Sequence, residues 1–182
     1  MSNQLAEPID VVSFWLEAGP QRWFEREDAF DESCRRFLPT YEAAARGELD
    51  TWQNAANDAL ALVLLLDQFP RNLFRGDAQT YATDAVAVRV ADLAITNGFD
   101  HQVGSSLRRF FYLPFMHSEN LEDQERSVVL NEALGDPDSI KFARHHHSVI
   151  ARFGRFPHRN AILKRETTPE EEAFLAEDSF RG

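Results

Sequence analysis

Residues Ala59–Leu66 read "ALALVLLL". A helix built from this run has no face to turn toward water, so it must be surrounded on every side. It is rich in Leu and Ala and holds one β-branched residue, Val63, a composition that suits a helix better than a strand. The segment is therefore expected at the centre of a fold, as a fully buried helix. It is far too short to span a bilayer. Pro70 is expected to stop it, because the residue before a proline avoids the helical region.

Nearly every other segment also reads as helix. Pro8 suits a first helical position, and Ile9, Val12 and Leu16 follow at helical spacing until Gly19-Pro20. Phe30, Cys34, Phe37, Tyr41 and Ala45 mark one face of a helix that Pro39 kinks or splits and that closes near Gly47. Asp50 is a candidate cap for the central helix, and Asp77 for a helix running to Asn97-Gly98. Leu107–Leu113 reads as a short aromatic helix stopped by Pro114, and Leu121–Leu134 as one ending at Gly135, capped by Ser118 or Asn120. Asp136-Pro137 starts a helix to about Phe153, and Thr168-Pro169 with Glu171 forms a capping box. The expected fold is all-α, in a single domain over residues 1–182, a length sufficient to bury a core. No linker and no repeat of fixed period is visible.

Charge is unevenly spread. The chain carries a formal −11, which disfavours non-specific binding to nucleic acid or anionic membranes. Yet Lys141–Arg165 holds two lysines, five arginines and four histidines and no Asp or Glu, so the remainder carries −18. Within it, residues 152–160 read "RFGRFPHRN". Guanidiniums offer paired donors that match carboxylate or phosphate. Arg152, Arg155, Arg159 and Asn160 therefore form either an anion-holding turn or the hub of an internal salt-bridge network. On the helix before them, Lys141, Arg144, His145, Ser148 and Arg152 make a polar stripe. Ile140, Phe142, Ala143, Val149, Ile150 and Phe153 cover the rest, and His146 and His147 point inward.

Two further stretches interleave polar and apolar residues. In "LDQFPRNLFRG", Asp67 can orient an arginine or histidine, and Arg71 and Arg75 can hold an anion; equally, all three can serve the helix end structurally. "YLPFMHSE" brings His117, Ser118 and Glu119 together. Adjacent residues do not make a catalytic triad, and no strand–Gly-x-Ser-x-Gly–helix elbow is present. His117 with Glu119 could be two ligands of a metal, but "HSE" is not "HExxH" and a full set would need His147 or His158 as well, so no metal and no cofactor is expected. His117, Glu119 and His158 are candidate acid–base groups. Trp15, Trp23 and Trp52 read as core. Cys34, the one cysteine, reads as a buried inert thiol. The absence of disulfides fits a reducing cytoplasm. The first ten residues do not resemble a signal peptide.

The strings "LDQFPRNLFRG", "YLPFMHSE", "DQERSV" and "ARFGRFPHRN" resemble the bacterial family known as domain of unknown function 924, over about residues 8–175. The resemblance implies an all-helical fold similar to tetratricopeptide-repeat proteins, with stacked antiparallel helical hairpins forming a superhelix. It implies no activity. By position its motif residues are Asp67, Gln68, Arg71, Asn72 and Arg75, then His117, Ser118 and Glu119, then Arg152, Arg155, His158, Arg159 and Asn160. Lys164 departs from the pattern, since relatives tend to carry glycine after "AIL".

Two functions fit. In the first, the polar motifs form a pocket for a small anionic metabolite, with hydrolysis or group transfer the least strained chemistry. In the second, a helical groove binds an acidic segment of a protein partner. Interleaving of the charges with large aromatics favours the pocket.

Overall fold

Residues 5–177 are described by a computed structural model. Residues 1–4, part of the stretch read above for a signal peptide, lie outside them. Among the described residues every regular element is helical and no strand occurs. The chain divides into two compact units, Met1–Arg75 with Gln79–Pro114, and Gly76–Ala78 with Phe115–Gly182.

The first unit is built around the apolar run. Ala56–Val63 (α4) leads into a wider π turn, Leu64–Gln68, and every residue from Ala59 to Leu66 is at most 1% exposed. Pro8–Phe24 (α1) packs against α4 and is broken at Gly19, which adopts φ 76° before Pro20 restarts the helix. Ile9 and Leu16 are 66% and 52% exposed, whereas Val11, Val12 and Trp15 are buried. The helix turns to bury its tryptophan, whose area outweighs that of an isoleucine or a leucine. Trp15 meets Phe69 at 5.4 Å and the edge of Phe110 at 5.7 Å. Pro39 splits the next segment as expected, into Asp28–Cys34 (α2) and Leu38–Ala45 (α3).

Pro70 does not stop the central helix. The Phe69 N–H donates five residues back to the Leu64 carbonyl, and Phe69–Leu73 (α5) continues with Pro70 in its first turn. The π turn has already displaced the backbone register, and Pro70 has no N–H to offer the Leu66 carbonyl four residues back. The Thr83 hydroxyl takes that carbonyl at 2.6 Å.

Two expected starts shift. A 3-10 turn at Asp50–Asn54 precedes α4, whose cap position is Ala55, not Asp50. Another at Ala78–Tyr81 follows Asp77, and Asp84–Thr96 (α6) begins later. After α6, Gly98 is left-handed at φ 67°. Ser105–Arg108 (α7) follows, and Pro114 opens Leu113–His117 (α8) instead of closing a helix.

In the second unit, Leu121–Leu134 (α9) is capped by Asn120, whose side chain accepts from the Glu122 and Asp123 N–H groups. Pro137–Phe153 (α10) is capped by Asp136. Two residues connect them, so the helices fold back antiparallel and pack along each other. His146 is buried as expected, but Phe142 is 50% exposed. The buried side of α9 is polar: Gln124, Ser127 and Asn131 recur at helical spacing. Phe156 is fully buried beside Val149 and Ile150, with Phe153 and Phe174 packed on them. Pro169–Glu177 (α11) starts with the expected capping box, Thr168 N–H to Glu171 at 2.8 Å and Glu171 N–H to the Thr168 hydroxyl at 3.3 Å. Among the described residues no helix is long and apolar enough to cross a membrane.

Candidate functional site

The sequence-selected polar residues fall into both units, and each group finds partners in its own. In the first unit Asp67 is fully buried, and Gln68 Nε2 donates to its Oδ2 at 2.6 Å. Arg71 lies 3.4 Å from Asp67 and donates to both carboxylate oxygens of Asp84, at 3.0 and 3.2 Å, and to the Asp67 carbonyl. Asn72 Nδ2 donates to the Gln68 carbonyl at 3.1 Å, so side chains take carbonyls that the π turn and the short α5 leave open. Arg75 holds Asp31 in a bidentate pair at 2.9 and 3.0 Å.

In the second unit, left-handed Gly154 ends α10 and turns the chain into Arg155. Arg155 grips both oxygens of Glu171, at 2.7 and 2.8 Å, and donates to the Glu166 carbonyl. Glu171 is 2% exposed and also accepts from Asn160 Nδ2 at 3.2 Å. Arg155 beside it is the main cause that holds its carboxyl down to about 2. Arg152 lies over the Phe153 ring at 4.6 Å.

The counterpart pair is Arg165–Glu119, bidentate at 2.7 and 3.0 Å. Glu119 Oε1 also accepts the Phe156 N–H at 2.8 Å, and Arg165 donates to the Phe156 carbonyl and to Asn160 Oδ1. Burial pushes the Glu119 carboxyl up, but the Arg165 and Phe156 donors outweigh it and hold it below the ordinary range. The turn that delivers Arg165 depends on Lys164. Its φ is 55°, Arg165 N–H donates to the Asn160 carbonyl at 2.8 Å, and Lys164 N–H to the Ala161 carbonyl at 3.4 Å. That is the Schellman pattern, in which the left-handed position favours glycine.

A different set gathers on the Phe156 ring. The His146 ring meets it edge-on at 5.5 Å, His158 lies at 5.6 Å and the Arg159 guanidinium at 4.6 Å. His117 is 6.5 Å from His146, and Arg159 donates to the His117 carbonyl at 2.9 Å. Gln124 Nε2 donates to the carbonyls of Phe115, Met116 and Ser118, so Gln124 and Arg159 together hold four successive carbonyls from α8 into the following turn. His146 Nδ1 is 2.8 Å from the Phe142 carbonyl. A carbonyl only accepts, so Nδ1 carries the proton in the neutral ring and Nε2 is its basic nitrogen. Burial, aided by the like charge of neighbouring histidines, pushes His146 down to about 3. Burial and then Arg159 push His158 down to about 4, against the opposing pull of Glu119. Both rings are therefore neutral near pH 7. His117 and His158 are partly exposed, so the cluster reaches the surface.

Of the sequence candidates, then, His117, His158 and Arg159 share the Phe156 cluster, and Glu119, Arg155 and Asn160 lie in the ion-pair frame around it. Arg152 stays on the outer face of α10, and Asp67, Arg71 and Arg75 belong to the first unit. Three participants were not selected by sequence. His146 read only as an inward ring. Glu171 read only as a helix cap. Arg165 lay in the positive segment but beyond its densest stretch. Among the described residues, no group of three His, Cys, Asp or Glu is placed to hold a metal ion.

No curated protein matches the chain. A solved structure of a protein of unknown function from Agrobacterium tumefaciens is similar to it, with 51% sequence identity and a TM-score of 0.91, over 94% of this chain and 97% of that one. The family model described as "bacterial protein of unknown function", DUF924, matches residues 11–179. With nearly its whole length matched, the chain belongs to the bacterial DUF924 family.

Proposed function

We propose that the second unit binds a small anionic ligand at the cluster formed by His117, His146, His158 and Arg159. The observation that carries this reading is the gathering of two imidazoles, His146 and His158, and the Arg159 guanidinium on the Phe156 ring, with a third imidazole, His117, 6.5 Å from His146. Glu119 is held by Arg165 and Glu171 by Arg155. The cluster has donors for an oxyanion, a rigid apolar base in Phe156, and access through His117 and His158. Arg159 is the residue of the original arginine set that faces this ring. His117 and His158 are the acid–base candidates that lie within reach of a ligand there.

The test is a thermal-shift screen of the full chain with phosphate, phosphate monoesters and carboxylates, beside His158→Gln and Arg159→Gln variants. A ligand at 100 times its Kd stabilises by about 2.7 kcal/mol. For a chain of this size that raises Tm by about 5–10 °C. The expected result is a rise for one class of anion that both variants lose. No rise with any anion refutes the reading.

A further inference from the structure

We propose that the chain associates head to tail with a second copy of itself, the outer face of α1 in one copy seating on the outer face of α10 in the other. This contact is independent of the anion site above.

The two faces are opposite in charge and matched in length. Between Leu5 and Gly19 the chain carries Glu7, Asp10 and Glu17 and no Lys or Arg. All three acids are exposed. On the same stretch Ile9 and Leu16 are 66% and 52% exposed. Ile9 and Leu16 are seven residues apart, and so are Asp10 and Glu17. One apolar row and one acidic row therefore run side by side along two turns of the helix. From Ser139 to Arg152 the chain carries Lys141, Arg144 and Arg152 and no Asp or Glu. Lys141, Ser148 and Arg152 are exposed, and Phe142, at the edge of that row, is 50% exposed. Arg144 is held by Glu132 at 2.7 Å, so Lys141 and Arg152 lead the basic row. Glu7 to Glu17 spans ten residues, about 15 Å of helix, and Lys141 to Arg152 spans eleven, about 16.5 Å.

Each face carries one sign of charge. Pairing α1 with α1, or α10 with α10, sets like charges against each other, which is costly. Pairing α1 with α10 sets the acids against the bases and covers Ile9 and Leu16 with Phe142. A contact between unlike faces leaves one face of each kind open at the two ends of the pair, so it can continue from copy to copy. The apolar part is only a handful of side chains, so the contact is weak and salt-sensitive.

Sedimentation velocity of the full chain tests this across a concentration series, at about 20 mM and about 0.5 M salt. At low salt the sedimentation coefficient is expected to rise with concentration, and at high salt that rise is expected to be lost. Two variants separate the faces at exposed positions. Ile9→Lys with Glu17→Lys changes the α1 face and leaves the Asp10 cap intact. Lys141→Glu with Arg152→Glu changes the α10 face. Each variant alone is expected to stay monomeric at low salt. Their equimolar mixture is expected to associate, because the intact α1 of one still meets the intact α10 of the other. A wild-type coefficient that does not rise with concentration at low salt overturns the proposal. So does either variant associating alone as strongly as wild type, which a contact between like faces would produce. A mixture that stays monomeric, while wild type associates, overturns the pairing of these two faces.

Discussion

Glu171→Gln removes one charge and little volume, and the structure fixes what that costs. Oε2 of Glu171 accepts from Arg155 Nη2 at 2.8 Å, from Thr168 N–H at 2.8 Å and from Asn160 Nδ2 at 3.2 Å. Oε1 accepts from Arg155 Nε at 2.7 Å. An amide has one oxygen and one NH2 group. With its oxygen at the Oε2 position three donors stay satisfied, but the NH2 then faces Arg155 Nε–H. One charge-assisted bond is lost, about 1.5–3 kcal/mol. The three remaining bonds lose their ionic component, about half their strength. Arg155 keeps some contact with water, so the total stays near the low end of a broken buried pair, about 3 kcal/mol. In a chain of this length that lowers Tm by about 6–12 °C. Glu172→Gln, on an exposed neighbour, is the control and should stay within about 0.5 kcal/mol. The gap must also depend on pH. The folded carboxyl is held near 2 against an ordinary 4.5. Its contribution is full above the unfolded value and is lost as pH falls through the folded one. The difference between wild type and Glu171→Gln should therefore be constant above about pH 5 and narrow toward pH 2. Chemical denaturation across that range measures it. A variant as stable as wild type at pH 7, or a gap that does not narrow on acidification, refutes the assignment of Glu171 as the anchor of this turn.

Three further outcomes follow from other parts of the molecule. Lys164→Gly should stabilise the chain by up to about 1 kcal/mol, because a side chain at φ 55° is strained by about 1–2 kcal/mol and glycine gives back part of that as unfolded-state entropy; a Tm at or below wild type contradicts this. His146 and His158 are lowered in the folded state, to about 3 and 4, so the unfolded chain binds more protons below pH 6.5. Each ring should then cost up to about 1.4 kcal/mol of stability per unit as pH falls through that window, and His158→Gln should flatten its share in acid-unfolding curves. Cys34 is fully buried and its thiol is pushed up to about 12, chiefly by burial, so a thiol reagent at pH 8 should label it only after unfolding.

Much of the local structure was legible in the sequence because it is governed by short-range rules. Asp136-Pro137, Gly135, Gly154 and the Thr168–Glu171 box mark helix ends by backbone geometry and cap chemistry, and each lies where those rules put it. Ala59–Leu66 could only be central, because no arrangement exposes one of its faces without exposing leucines. The failures are also physical. Pro70 and Pro114 were read as stops, but a proline stops a helix only if the register before it is kept or no new helix starts there. The π turn at Leu64–Gln68 changes the register, and α8 starts at Leu113. Ile9 and Leu16 share helical spacing with Val12 yet lie exposed, because the larger Trp15 decided which way α1 turns.

Residue type and density singled out the 141–165 segment, since five arginines and four histidines without an acid are conspicuous in an acidic chain. Which acid meets which arginine was not contained in that pattern. Arg165 and Glu119 are 46 residues apart, and Arg155 and Glu171 are 16 apart. Only the folding of α10, the 157–165 turn and α11 brings those pairs to hydrogen-bonding distance. The same folding sets Arg155 and Arg165 against carboxylates and Arg159 over the Phe156 ring, although the three look alike in the sequence. A one-dimensional pattern fixes how much charge a segment carries. Pairing is a short-range interaction in space, so tertiary structure alone decided which arginine meets which carboxylate.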